Sequence, residues 1–258
     1  MKNLLVRENI ALATLFAAVA CSPIWPSIAI AAPEDLRVLT DNISEKGEFS
    51  AEAQAVTVRQ RDLVGTRRSS VIQGLAEISY GLSDWLEVSL QFPVSRDAGV
   101  WRSNGANVEL QFVAPHESAS GFYWGGRAEV GSRRSVGEVE HVIAVEARPI
   151  FGYRIGHWHA VLNTGVRIPV SGNDRRATFE PSAKLVYQLS AKTAVGAEFY
   201  VDAGPLAHPL PRALRQELAL LVVDVNSGHF HLNFGLGRGT TAASDGTVFK
   251  FVVSRPFD

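Results

Sequence analysis

The chain has 258 residues, 46% of them hydrophobic and 20% charged, with a formal net charge of -1. Charge so near neutrality gives no general basis for binding nucleic acid, and beyond the N-terminus no run of about 18 apolar residues offers a membrane-spanning helix. The one cysteine, Cys21, lies in the N-terminal apolar segment, so a chain cut after that segment has neither a disulfide nor a thiolate metal site.

Met1 to Ala31 reads as an export signal. Lys2 and Arg7 open it, an apolar run follows from Ile10 to Ala20, and Ala29-Ile30-Ala31 supplies the small-x-small cleavage site. Ala18-Val19-Ala20-Cys21 has the outline of a lipoprotein site, but Ala18 stands where such sites carry Leu, and Cys21 also reads as a small apolar residue of the signal's core. Residues 32–47 are polar and without period, a short periplasmic tail that folds into a lumen or hangs free.

From Glu48 onward apolar and polar residues alternate. The clearest stretch runs from Ile72 to Val94: Ile72, Ala76, Ile78 and Tyr80 share one face of the first arm, the turn Gly81-Leu82-Ser83-Asp84 follows, then Leu86, Val88, Leu90 and Phe92 share one face of the second. About twelve segments of roughly ten residues repeat this pattern, the trace a transmembrane barrel leaves in sequence. They include Phe49–Arg59, Phe122–Val130, Val139–Arg148, Thr193–Val201 and Leu214–Val225. Long connections (Gln60–Ser70, Ser95–Ala106, Gly131–Gly137, Ser171–Arg176, Asp202–Arg212, Gly239–Gly246) alternate with short ones (Gly81–Asp84, Arg154–Gly156, Ser190–Lys192, Asn226–Gly228). Only Ala114–Ser120 breaks the rule. A soluble sandwich has no reason to sort loops by length, so the expected fold is all-β: an antiparallel up-and-down transmembrane barrel over 48–258, in the outer membrane of a Gram-negative cell. Tyr80, Trp85, Tyr153 and Trp158 flank short turns as an interfacial girdle would.

If the apolar parity faces lipid, the other parity faces the lumen with Glu77, Glu87, Glu109, Arg127, Glu129, Glu146, Arg148, Arg167, Lys184, Glu198 and Lys250. These line a polar pore or lock together as an ion-paired filling. Three arginine pairs, Arg67-Arg68, Arg133-Arg134 and Arg175-Arg176, fall in long loops, where guanidinium groups suit the phosphates of lipopolysaccharide. Catalytic signals are weak. His116-Glu117-Ser118 has no residue to orient its imidazole, and the pairs His157/His159 and His229/His231 can hold a metal only as i,i+2 couples on strands that are not neighbours. No catalytic residue, cofactor or metal site is assigned.

Some motifs resemble a known family. Leu39-Thr40-Asp41-Asn42, Lys46-Gly47-Glu48-Phe49, the run Glu77 to Val88 with Pro93, and Phe234-Gly235-Leu236-Gly237-Arg238-Gly239-Thr240 with Ser244-Asp245 are similar to the outer-membrane proteins named for the meta-pathway of phenol degradation, which are described as transporters. The resemblance implies an exported barrel passing small hydrophobic or aromatic solutes; the outer-membrane setting adds lipid, lipopolysaccharide and the barrel-assembly machinery as expected partners. Barrels of this kind end on an aromatic residue read by that machinery; here Phe257 is followed by Asp258. A plugged structural or adhesion barrel and an outer-membrane acyl hydrolase are the alternatives.

Overall fold

The computed structural model describes residues 35–59, 70–117, 120–134 and 140–257. Residues 1–31, expected as an export signal, and the paired Arg67 and Arg68 lie outside them. The strands are β1 (Phe49–Arg59), β2 (Ser70–Ser83), β3 (Leu86–Asp97), β4 (Val100–Ser103), β5 (Gly105–Val113), β6 (Gly121–Arg133), β7 (Val142–Ile155), β8 (Trp158–Pro169), β9 (Thr178–Ser190), β10 (Thr193–Asp202), β11 (Gln216–Asn226), β12 (His231–Gly239) and β13 (Thr247–Phe257). Every pairing between them is antiparallel. Each strand of the barrel pairs with the next in sequence, β3 passes over β4 to β5, and β13 returns to β1, so twelve strands close the sheet. Closure leaves no edge of unpaired backbone facing hydrocarbon.

The thirteenth strand corrects the expected loop Ser95–Ala106. β3 runs on to Asp97, turns through Ala98 and Gly99, and comes back as β4 paired to Ser95 and Arg96. Ala98 and Gly99 both have positive φ, at 48° and 86°. A two-residue hairpin turn of the type that matches strand twist needs that conformation, and it is comfortable only for glycine. Other boundaries move as well, and the weak segment expected over Val139–Arg148 becomes Val142–Ile155.

Alternation decides the two faces. On β3, Glu87, Ser89, Gln91 and Ser95 are buried while Leu90 and Phe92 are exposed. The same holds around the barrel, where Ile78, Val108, Leu110, Val130, Val145, Leu162, Leu185, Leu221, Leu236 and Phe249 form an outward apolar band. So continuous a band exceeds what a soluble monomer shows and is what a lipid-facing surface requires. Trp85, Phe122, Tyr153 and Trp158, each about half exposed, ring the short-turn end.

Leu90→Arg sets a cation on the outward band and should cost about 2–4 kcal/mol, with loss of folded yield in lipid vesicles. Gln91→Lys, one residue on, turns an ammonium inward toward Glu77 and should keep the yield. Heat-modifiable mobility on gels reads both; equal losses would sink the assignment of faces.

Candidate functional site

Residues 35–48 do not hang free: they run inside the barrel. The segment forms no strand, so its backbone groups must find partners among inward side chains. Asn163, fully buried, clamps Leu39 by accepting from its N–H at 2.7 Å and donating to its carbonyl at 3.0 Å. The Tyr200 hydroxyl lies 2.9 Å from the Leu36 carbonyl and shares its one proton between that oxygen and Glu198, Gln111 donates to Thr40, and Glu87 accepts from the Ser44 N–H. Where the segment reaches the short-turn end it lies against β2, with Gly47 N–H donating to the Gly81 carbonyl at 2.8 Å. A Cβ at Gly81 would sit 2.0 Å from the Glu45 carbonyl oxygen, so glycine is required there. Leu36, Val38 and Leu39 join a buried apolar cluster with Val161, Val186, Ala194 and Tyr200.

Charge is the second layer. Arg37 is a hub, holding Asp35 at 2.7 Å, Glu52 at 2.8 Å and Glu77 at 2.6 Å. Asp35 passes the chain of charge to Arg127 at 3.1 Å, and Arg127 also meets Glu109, Glu129 and Glu146. Arg148 pairs with Glu146 at 2.6 Å, and Arg167 with Glu180 at 2.8 Å. On the opposite wall Lys184 bridges Glu198 and Asp224, while Lys250 and the Tyr200 hydroxyl both donate to Glu198. All eleven residues of the polar parity named from sequence therefore have hydrogen-bonding or ionic partners in the interior, Glu87 through the tail backbone. Sequence reasoning does not reach Asp35, Arg37 and Asp41, because nothing local to a segment without period shows what it will pack against; Asn163, on β8, has the inward parity opposite to Ala160 and Leu162 and is readable from that alternation.

A latch closes the tail at the short-turn end. Asp41 accepts two hydrogen bonds from the Arg154 guanidinium, both 2.6 Å, and one contact from His116 Nε2 at 2.8 Å. His116 Nδ1 faces the Ala114 carbonyl at 2.9 Å, so both ring nitrogens meet oxygen acceptors. Tyr123 stacks on His116, lies under Arg154, and meets His159 Nε2 through its hydroxyl. Burial works to raise the Asp41 carboxyl, but the hydrogen bond and charge of Arg154, with His116, hold it below its ordinary value. His116 is thus spent on the tail rather than on a nucleophile, and Ser118 lies outside the described residues. His157 packs on Tyr187, while His159 and His231 both line one cavity.

That cavity, about 990 Å³, sits between the tail and the barrel wall and reaches the short-turn end at Lys192 and Asn226. Arg37, Glu52, Glu77, Glu87, Lys184 and Asp224 give it charges of both signs. The loop arginines divide. Arg134 is buried and donates to the Ser103 carbonyl and Asn104, and Arg133 turns back to Glu129 at 2.5 Å, so these two guanidinium groups serve the protein rather than lipid. Arg175 and Arg176 are exposed, Arg176 being paired with Asp174 at 2.7 Å.

Among solved structures the chain is similar to an outer-membrane channel from Pseudomonas putida F1, with a TM-score of 0.68 at 10% identity over 86% of this chain and 100% of that one. It is also similar to the NanC porin, with a TM-score of 0.52 at 8% identity over 80% of this chain and 98% of that one. The fold is that of an outer-membrane barrel. No family model matches the chain, and no curated protein matches it. The likeness is one of architecture, and the residues inside the barrel carry the functional argument alone.

The Asp41 latch has a defined pH limb. A carboxyl held low in the folded state contributes in full above its ordinary value and loses that contribution as pH falls through the lowered one. Tail resistance to protease should be flat from neutral pH down to about 4 and then drop. Asp41→Asn should loosen the tail at neutral pH and shrink the step at the acid end, where the two chains converge; an unchanged step in that variant would remove Asp41 from the account.

Proposed function

We propose that this chain is an outer-membrane channel for small solutes, with its short turns in the periplasm and its lumen closed at rest by residues 35–47. One observation carries the reading: the obstruction is not part of the wall. It is a segment without strand pairing across most of its length, held by inward side chains and continuous with β1 at one end. Such a segment can leave while the sheet stays closed, whereas a wall residue cannot. The polar parity, with Glu109, Glu129, Glu146, Arg127, Arg148, Arg167, Lys184, Glu198 and Lys250, then lines the route. The family resemblance suggests small apolar or aromatic solutes; the charged cavity supports polar ones instead.

A plugged structural barrel is the second reading. It is favoured by Val56, Val58, Val71, Leu218, Leu220 and Val248, which bury apolar side chains inside the barrel toward the long-loop end. At that end Arg175 and Arg176 stay candidates for lipopolysaccharide phosphate. The export signal expected over residues 1–31 supports delivery to this membrane.

Planar-bilayer recording separates the two readings. The mature chain should be silent or nearly so, and the chain lacking 32–47 should conduct steadily, with at least about a tenfold gain in open probability, as expected when one closed state loses its interactions. Silence in both would favour the structural barrel.

A further inference from the structure

Two rows of like charge cross adjacent strands in the interior. Glu109, Glu129 and Glu146 stand opposite one another on β5, β6 and β7, and Glu52 stands directly opposite Glu77 on β1 and β2. Like charges so placed repel and need a cation between them. The first row is bridged by barrel residues, Arg127, Arg133, Arg148 and Arg167. Among the described residues the ion pairs of Glu52 and Glu77 are made by Arg37, which belongs to the tail. Whatever withdraws the tail therefore strips this carboxylate pair of its cation and leaves the other row intact.

The pair is also shaped as a site. Glu52 and Glu77 both line the cavity that opens to the short-turn end, with Glu87 beside them. Gln91 donates to Glu77 Oε2 at 2.6 Å and Ser79 donates to Oε1 at 3.0 Å, so the wall holds this carboxylate as well as its cation does. Arg37 presents a planar guanidinium whose Nη1 reaches both carboxylates, while Nε and Nη2 face Asp35. We propose that Glu52 and Glu77 form a binding site for the cationic head of a permeating solute, a guanidinium or primary ammonium group, and that Arg37 occupies it at rest as an internal competitor. The inference rests on the channel reading for its use, but the pocket itself can be tested without a pore.

In the intact mature chain, Arg37→Ala leaves the carboxylate pair facing the cavity without its guanidinium; Arg37→Gln serves if that variant fails to fold. Methylguanidinium should restore the lost heat and protease resistance in a saturable way, and neutral methylurea should not. Adding Glu52→Gln and Glu77→Gln should weaken that restoration by about tenfold or more, the cost of losing hydrogen bonds to a charged group. Equal restoration by methylurea, no restoration, or none of this weakening in the Gln background overturns the assignment. In the chain lacking 32–47, the same compound should block current and potassium should be preferred over chloride, both effects being lost with the two Gln changes. A conducting pore without preference or block overturns the site and leaves the channel. A silent pore beside a rescued Arg37→Ala chain overturns the channel and leaves the pocket.

Discussion

Closure of the sheet is the constraint on which the rest of this structure depends. In hydrocarbon each backbone N–H and C=O must be paired within the protein, so β13 has to return to β1 and complete the ring. Once the ring is closed, a side-chain period of two sends half of every strand inward whether or not there is room or charge balance for it. Lipid accepts only the apolar half. The polar half is thereby confined to a narrow interior, where an unpaired charge costs far more than it would at a surface.

That confinement explains why the interior is built as a chain of alternating charge. Register forces carboxylates to face carboxylates, as in Glu129 opposite Glu146, and arginines to face arginines, as in Arg127 opposite Arg148. Offsetting the rows lets each guanidinium bridge the carboxylates of its neighbours. Such networks add little net stability relative to an apolar filling, but removal of one member leaves its partners buried and uncompensated. The tail enters this network at both signs, through Asp35 and Arg37, and is held less by any one contact than by the charges it would leave behind.

The barrel was legible in sequence because its determinants are local and repeated. Leu86, Val88, Leu90 and Phe92 report their common face through spacing alone, and Gly81 to Asp84 mark a turn through residue type. β4 is not legible in sequence because its four residues show no alternation and its pairing depends on Ala98 adopting a conformation unusual for alanine. Arg133 and Arg134 read as outward because a loop position says nothing about rotamer; Asn104, which captures Arg134, lies 30 positions away, whereas Glu129 stands four residues before Arg133 on the same strand. The tail lies at the far end of this scale. Asp41 finds Arg154 across 113 positions and Leu39 finds Asn163 across 124, so no window of sequence contains both halves of either contact.

The difference between wall and tail is also one of cooperativity. To open the wall, a whole ladder of strand hydrogen bonds has to break in lipid, where the freed groups have no water to turn to. To release the tail, a set of side-chain contacts gives way one at a time beside a cavity that already reaches the short-turn end. Local opening draws on the least cooperative part of a fold, and here that part is a segment joined to β1, crossing the lumen and carrying the cation that the Glu52–Glu77 pair requires. Motion of the tail and exposure of that pair are therefore one event, since Arg37 cannot leave without uncovering the carboxylates it bridges.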